Sequence, residues 1–595
     1  MAKQANETCV GTYLTTRLEQ LGVNHLFSVP GDYTSDFLEI VDSESNLTRI
    51  GNCNELNAGY AADGYARANG LGAVAITTGV GAFSVLNAIG GAYVEKIPVI
   101  LIIGTLSNTK LLDETNAGEL FHHQVNKTDF NKTVFSQVTV AFERISNPLA
   151  APAQIDAVLT ACISHSRPAA IEIMEDCYYL PCNEPQGILK PIPSYESYKT
   201  LQALAATKQL KYKYATQIVA AVQGAANQIY ELLASSKKPM LWIGKEIGTD
   251  SLSEDFLQLQ KMINAPFVSS LLGKSAIAET NPWYAGMHDG IFTQPTTQQL
   301  LNDCDCLIGL GVWNTDLNEF SNLPNPEAGN PSTVFVSRNM VKVGEDLYVQ
   351  VSLKNLMNAL IAIIKSKGYK PVWQQPPGVP PAPPAPPVSA AITYDYFFDV
   401  LSNYLTPSHL LVSEVGLSTF GGSSYLQIKR QNGYLGQNIW ASIGWSVPAG
   451  LGASFTEDTR AIVVVGDGAF KLTCQAISTM IMQKCNTVIF VLNNKVYAVE
   501  QILLDAAPFE KGSDAPFEAA NILQEWDYVS LMNAFSNNNS AAARSANVNT
   551  VQDLQNVLGE INNTPDAAWL VSINLNERDY PAAWAPFVPA PDKSK

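Results

Sequence analysis

Short apolar runs of four to six residues recur along this chain, separated by stretches with helical periodicity. Ala73 to Ile76, Pro98 to Ile103, Ala461 to Val465 and Thr487 to Leu492 are almost free of polar residues. Strands apolar on both faces belong to parallel sheets with helices covering each side. The pattern therefore predicts doubly wound α/β architecture towards both ends of the chain. A middle region repeats it more weakly, at Lys238 to Gly244, Cys306 to Gly311 and Ser332 to Val336. Residues 371–387 break it, with nine prolines in the 17 residues PVWQQPPGVPPAPPAPP. Such a stretch forms neither helix nor central strand and is expected to run as an extended spacer. A ligand for an aromatic groove is the functional alternative, but large globular segments flank it on both sides. The expected organisation is a first domain over 1–190, a central domain over 200–365, a proline-rich linker over 366–390, a third domain over 391–577 and a tail over 578–595.

The first and third domains echo one another. Thr77-Thr-Gly-Val-Gly-Ala-Phe83 ends a strand and opens a helix, with a strand following at Val99. Val464-Val-Gly-Asp-Gly-Ala-Phe470 does the same, with a strand following at Val488. Val80 stands where the second copy has Asp467, so a metal is expected in the second copy only. There, Gly466-Asp467-Gly468 is followed by a helix expected over Leu472 to Gln483, a strand, and Asn493-Asn494. Asp467 and Asn494 thus fall at the carboxyl ends of two strands of one sheet, the edge where such folds bind ligands. Glycines let a backbone approach a phosphate, and a helix N-terminus favours its charge. An Asp oxygen, an Asn carbonyl and one backbone carbonyl form half of a hard oxygen shell. Mg²⁺ takes such ligands and completes its shell with phosphate oxygens and water.

Composition narrows the partners. The 595 residues carry 37 Lys+Arg against 54 Asp+Glu, a net charge of −17. That balance argues against nucleic acid or an anionic membrane as the main partner. The apolar runs fall well short of the roughly 20 residues of a membrane span. The opening residues Met1 to Thr8 lack the basic-then-apolar layout of a signal peptide. Nine scattered cysteines with no framework spacing fit a reduced, cytoplasmic setting. Cys304 and Cys306 are the one close pair and read as structural.

The Gly466-Asp467-Gly468…Asn493-Asn494 segment resembles the diphosphate-binding motif of thiamine diphosphate-dependent enzymes. The resemblance extends from about residue 8 to 575 and implies three doubly wound parallel-sheet domains: pyrimidine-binding, central and diphosphate-binding. It implies that the Asp467 and Asn494 side chains and the Val496 carbonyl hold Mg²⁺, and that Gly466, Gly468 and Ala469 line the diphosphate. Many decarboxylases of the family carry Gly where this chain has Val496. Glu55, in Cys53-Asn-Glu-Leu-Asn, opens a helix of small and apolar residues, and alone could simply favour the helix N-terminus. By resemblance it is the glutamate set against the aminopyrimidine ring. A carboxyl bonded to ring N1′ promotes the imino tautomer, which can then remove the thiazolium C2 proton. In Ile443-Gly-Trp-Ser, Ile443 would wedge between the cofactor rings and the Ala441 carbonyl would receive the 4′-amino group.

His122-His123 is an adjacent pair in a chain with six His. Such a pair is often a loop or core feature. Here the pair, the segment Asn24 to Tyr33 and Tyr497-Ala-Val-Glu500 all resemble the 2-oxo-acid decarboxylases, closest to pyruvate decarboxylase. That implies Asp32, His122, His123 and Glu500 form a cluster of proton donors and acceptors with mutually shifted pKa values. Gln124, Ala476 and Ala498 depart from residues common in the family. Thr419, Val499 and Leu503 fall on the implied substrate wall. Thr419 and Val499 are smaller than the Trp or Ile that some pyruvate-specific members carry. One methylene shifts discrimination by about 1–3 kcal/mol, so 2-oxo acids longer than pyruvate, branched or aromatic, are expected to be tolerated.

The expected function is non-oxidative decarboxylation of a 2-oxo acid to aldehyde and carbon dioxide through the cofactor's ylide and enamine. The competing readings are a carboligase such as acetolactate synthase, against which His122-His123 and Glu500 argue, and a non-catalytic relative, against which Glu55, Asp467, Asn494 and Glu500 argue. A nicotinamide dehydrogenase lacks support, because no GxGxxG opens a strand–helix unit. In the family the cofactor spans two subunits, so a homodimer is the smallest active unit implied, and tetramers are common. The tail is read as a flexible extension or a flap over the site.

Overall fold

The computed structural model describes residues 8–125, 129–189, 202, 206, 213–316, 332–378, 386–539 and 541–588. Residues 379–385 of the proline-rich stretch, 589–595 of the tail and the opening residues 1–7 lie outside the described residues.

The apolar runs form the centres of three sheets. The first contains β1 (His25–Ser28), β2 (Thr48–Gly51), β3 (Gly72–Thr77), β4 (Val99–Thr105), β5 (Phe142–Ile145) and β6 (Ala169–Met174). Their order is β2-β1-β3-β4-β6-β5, and every pairing is parallel. The second contains β7 (Pro239–Ile243), β8 (Phe267–Ser269), β9 (Tyr284–Met287), β10 (Cys306–Leu310), β11 (Ser332–Ser337), β12 (Met340–Val343) and β13 (Asp346–Val349). Its order is β13-β12-β11-β10-β7-β8-β9. It is not wholly parallel: β12 and β13 pair antiparallel at one edge. The third contains β14 (His409–Ser413), β15 (Tyr434–Gly436), β16 (Arg460–Gly466), β17 (Val488–Asn493), β18 (Ala543–Val548) and β19 (Ala568–Asn574). Its order, β15-β14-β16-β17-β19-β18, reproduces that of the first sheet strand for strand. The sequence echo is thus a repeated topology. Every residue of β3, β4 and β17 is buried, which accounts for their unbroken apolar character. Each buried Val, Ile or Leu contributes about 1.5–3 kcal/mol.

The two repeats share one core. The helix Glu55–Asn69 lies against the helix Ser446–Ala453, and a single apolar cluster runs from Phe27 and Val74 to Val463 and Val491. Glycines set how closely the helices approach. A Cβ on Gly64 would stand 2.3 Å from the Ala449 carbonyl oxygen, and one on Gly452 would stand 1.9 Å from that of Ala61. Beside this contact Arg67 donates to Asp63 at 2.6 Å and to the Gly436 carbonyl at 2.8 Å, and the Trp445 indole donates to Asp63 at 2.9 Å. The buried charge pair is therefore satisfied across the joint, as burial requires.

One expected element differs. The helix after the Gly-Asp-Gly turn begins at Asp467 with Gly466 as its cap, runs to Thr473, and resumes at Ala476–Met482 after a turn at Cys474–Gln475. All nine cysteines are free thiols. Cys304 donates to the Cys306 carbonyl at 3.1 Å inside the central core. Among the described residues, no helix is long and apolar enough to cross a membrane.

Gly64→Ala and Gly452→Ala should each lower the thermal midpoint, at about 1–3 kcal/mol for overpacking. Gly559→Ala, in an exposed helix position where a Cβ meets nothing within 4 Å, should raise it by about 0.4–1 kcal/mol. Equal midpoints for Gly64→Ala and Gly559→Ala in a calorimetric scan would contradict this account of the joint.

Candidate active site

The third sheet opens a cleft where β14 and β16 lead to opposite sides, the switch point at which α/β sheets take ligands. It encloses about 440 Å³ and is lined by Gly466, Asp467, Gly468, Ala469, Asn494 and Val496 on one side. Ala441, Ile443, Val499 and Glu500 also line it, and residues 415–418 with Phe420 form the facing wall.

Asp467 is the first residue of its helix and is 2% exposed. Its carboxylate accepts the amides of Gly468 and Lys495, each at 3.0 Å. Burial pushes its carboxyl up to about 6, and the nearby Lys471 charge and the two amides only partly oppose this. Among the described residues it has no ion-pair partner within 4.0 Å. A nearly dry carboxylate without an ion pair within 4.0 Å is a poor structural group and a good ligand for a cation. The Asn494 side-chain oxygen accepts the Val496 amide at 3.4 Å, so both oxygen donors belong to one turn. The left-handed residue of that turn is Lys495, at φ 65°. Val496 instead forms an antiparallel bridge to Ile522. Its side chain is buried without demanding a glycine.

Around this turn, Gly466 leaves open space where a Cβ would stand, whereas a Cβ on Gly468 would lie 2.2 Å from the Tyr497 ring. The first glycine leaves room for a diphosphate, and the second admits a tyrosine. Tyr394 also lines the cleft beside Asn494. Sequence reasoning missed Tyr394. Its only local signal is Thr393, which caps the helix Tyr394–Tyr404 by accepting the Tyr396 amide at 3.2 Å. The buried acid, the oxygen donors and the open glycine fit a magnesium-bound diphosphate.

The amino-terminal residues form a second group. Asp32 opens a single helical turn after β1, and its carboxylate hydrogen-bonds His122 Nε2. His123 Nε2 lies 3.9 Å from the other Asp32 oxygen. The three donor atoms fall within 4.8 Å of one another. Burial opposes ionisation of Asp32, but the His122 hydrogen bond and the imidazole charges prevail, and its carboxyl titrates below the ordinary value. Tyr33 stacks on His122 at 5.0 Å, and its hydroxyl donates to the His122 carbonyl at 3.4 Å. His123 is held at φ 64°, with its carbonyl oxygen 1.7 Å from where a Cβ on Gly79 would be. Gly79, in the first repeat's turn, thus makes room for the His pair, which the sequence alone did not reveal. Glu55 is the first residue of its helix, with an oxygen 3.3 Å from a Cβ position on Gly81.

Not every expected wall residue faces the cleft. Thr419 is fully buried, and its hydroxyl donates to the Glu414 carbonyl at 2.7 Å beside the Ser413 and Tyr434 hydroxyls. Leu503 is exposed on the helix Ala498–Leu504 and does not line the cavity. Leu417 and Phe420 take the wall position expected of Thr419. Among the described residues, none of the amino-terminal sheet lines this cavity. Glu500 therefore lines the cavity without the Asp32–His122–His123 group among its neighbours there.

Comparison with known proteins identifies three domains of one family along the chain. Residues 8–129 match the thiamine pyrophosphate enzyme N-terminal TPP binding domain, 226–362 the central domain and 414–571 the C-terminal TPP binding domain. A putative pyruvate decarboxylase of Schizosaccharomyces pombe is 29% identical over 97% of both chains. A pyruvate decarboxylase of Aspergillus parasiticus is 30% identical over 92% of this chain and 91% of its own. An alpha-keto-acid decarboxylase of Mycobacterium tuberculosis is 30% identical over 93% of each. The chain belongs to the thiamine diphosphate-dependent 2-oxo-acid decarboxylases.

Proposed function

We propose that the cleft binds thiamine diphosphate through Mg²⁺ and that the enzyme acts on pyruvate and on longer 2-oxo acids. The observation that carries this is Asp467, a buried carboxylate without a cation at the switch point of the third sheet. Asp467, Asn494 and the Val496 carbonyl are the metal ligands of this reading. Gly466, Gly468 and Ala469 lie along the diphosphate, and Ala441 and Ile443 face the rings. When bound, thiamine diphosphate supplies the electron sink for the pair left by departing carbon dioxide.

The chain's own groups handle protons and shape. Glu55, partly exposed at a helix start, shares a proton with the aminopyrimidine ring nitrogen. His122 and Asp32, already hydrogen-bonded, hold a proton between Nε2 and a carboxylate oxygen and deliver it when the product needs one. His123 and Glu500 complete the set. Val415, Leu417, Phe420 and Val499 give the cleft an apolar wall, which supports substrates larger than pyruvate. With Thr419 turned inward, that argument rests on Val499 and on the wall residues themselves.

The smallest active unit in this reading is a homodimer in which the amino-terminal group of one copy closes the cleft of another, and tetramers follow as pairs of dimers. Exposed apolar side chains support it. Val80, Phe83, Trp440, Ile443 and Leu472 are each 40–55% exposed around the two groups. Nine unpaired cysteines support a reducing compartment, the cytoplasm.

Three outcomes test the reading. Mg²⁺ with thiamine diphosphate should raise the wild-type melting temperature, by about 2.7 kcal/mol at a hundredfold excess over Kd. Asp467→Asn should abolish that response. A carboxyl raised to about 6 favours folding below its unfolded value of 3.8 and loses that contribution as pH rises through 6. The apo variant should therefore melt no lower than apo wild type at pH 8, and a shared metal response would refute the ligand assignment. Next, an alcohol dehydrogenase-coupled assay should detect aldehyde from pyruvate, 2-oxoisovalerate and phenylpyruvate, and none with Glu55→Gln. A steep fall in kcat/KM for every acid beyond three carbons would overturn the pocket argument. Finally, co-expressed Glu55→Gln and Asp467→Asn chains, each inactive alone, should recover about a quarter of wild-type activity. Half of randomly paired dimers are mixed, and each of those has one intact site of two. A site within one chain would give no recovery.

A further inference from the structure

The loop between β15 and the helix Ser446–Ala453 carries Ala441 and Ile443 into the cleft. Two of its residues are left-handed, Ala441 at φ 54° and Gly444 at φ 90°. Left-handed backbone is uncommon for a residue with a side chain, so the loop must be held from outside. On the side of the first repeat, Glu95 accepts the Ile439 and Trp440 amides at 2.6 and 3.3 Å, and the Tyr60 hydroxyl meets the Ser442 hydroxyl at 2.7 Å. On the side of its own sheet, the loop is held by Glu414.

Glu414 follows the last residue of β14 and is 1% exposed. One of its carboxylate oxygens accepts three donors: the Gly444 amide at 3.2 Å, the Ser446 amide at 3.0 Å and the Ser446 hydroxyl at 2.8 Å. The other accepts the Val415 amide at 3.2 Å. Its main-chain carbonyl takes the Ser418 and Thr419 hydroxyls, both at 2.7 Å. Its side chain thus fixes the loop that bears Ile443, and its backbone fixes the facing wall. A carboxylate only accepts hydrogen bonds, so it suits a point where three donors converge, and an amide does not. Among the described residues no cation lies within 4.0 Å of it. Burial pushes its carboxyl up to about 7 against those donors. A group this costly to bury, on neither the metal turn nor the His cluster, needs a reason beyond capping a short helix.

We propose that Glu414 is a positioning residue for the decarboxylation, holding the Gly444 and Ser446 amides so that Ile443 and the Ala441 carbonyl keep their places against the cofactor rings. This rests on the reading that the loop faces those rings. The diphosphate end of the site is untouched by Glu414, so its loss should divide the two functions of the cleft.

The test compares Glu414→Gln, Glu414→Asp, Ser446→Ala and Ile443→Ala as full-length proteins. Each is measured for thiamine diphosphate affinity with Mg²⁺ by thermal shift, for kcat and KM, and for amide exchange of residues 437–446 in the apo protein. Glu414→Gln should speed exchange at Gly444 and Ser446, leave cofactor affinity within about threefold and lower kcat about tenfold with little change in KM, because a small misplacement of reacting groups is costly. Glu414→Asp, which keeps the acceptor, should recover part of that loss. A kcat within twofold of wild type for Glu414→Gln overturns the proposal if Ile443→Ala is impaired. If Ile443→Ala is equally unimpaired, the loop does not face the cofactor and the underlying reading falls as well. Should Glu414→Gln fail to fold, Ser446→Ala decides. A kcat lowered about threefold at an unchanged melting temperature is expected for one lost donor, and an unchanged kcat overturns the proposal.

Discussion

A carboxylate kept almost free of water without a cation is the constraint on which the third sheet is organised. Asp467 can sit there because β16 ends at Gly466, a helix begins at the acid itself, and the Lys495 amide points back at it from the next strand's end. Two amides are too few to offset the lost hydration of a charge, which is why burial still lifts its carboxyl to about 6. In the proposed reading a divalent cation would resolve that imbalance, and a cation bound by so few protein oxygens would have positions left for phosphate and water. The open space at Gly466 would admit that anion. The proposed cofactor site at this end thus rests on one unsatisfied charge and one missing side chain.

The same topology at the other end carries no such charge. Val80 opens its helix as Asp467 opens the equivalent one, yet it is 55% exposed and apolar. That end instead offers a carboxylate at a helix start, Glu55, and an acid with two imidazoles. In the proposed reading the charged anchor lies in one repeat, and the proton-handling groups are drawn from both, since Glu500 lines the cleft of the second. They are locked together within a chain by helices packed at glycine distance, yet their functional edges do not meet in that chain. Apolar side chains are exposed at both edges, Val80 and Phe83 at one and Ile443 and Leu472 at the other.

Much of the fold was legible because parallel strands buried on both faces must be apolar throughout, so β3, β4, β16 and β17 stand out in the sequence. The antiparallel edge β12–β13 was not, because its exposed positions are mixed in character. The Gly-Asp-Gly helix was misplaced by several residues because Gly468 reads as a turn, whereas the structure uses it inside a helix to admit the Tyr497 ring. Asp467 and Asn494 stood out as candidates from spacing alone. Glu55 and the His pair needed a family resemblance to be separated from structural explanations. Thr419 was expected on the wall because related decarboxylases carry Trp at its position. Its hydroxyl instead finds Ser413, the Glu414 carbonyl and Tyr434, and contacts of that kind leave no periodic trace. Tyr33, Gly79 and Tyr394 were missed for the same reason, since each acts through a partner distant in sequence.

Of the sixteen non-glycine residues with positive φ among the described residues, three fall at the proposed site. His123, Ala441 and Lys495 are all left-handed without being glycine. Each lies in a segment that presents a proposed functional group: an imidazole, a carbonyl beside an apolar wedge, and a metal-binding turn. Such conformations persist only where surrounding contacts over-determine them. Those contacts are present in each case. Tyr33 and Gly79 bracket the His pair, Glu95 and Glu414 hold the 441–446 loop, and the Val496–Ile522 bridge holds the turn. The buried acids Glu95 and Glu414 are poor choices for stability alone, since apolar residues of similar volume would pack at lower cost. Their presence is better explained by the geometry they impose. Stability in this chain comes largely from the apolar strands, and these two buried acids hold the strained loop in place at the cleft.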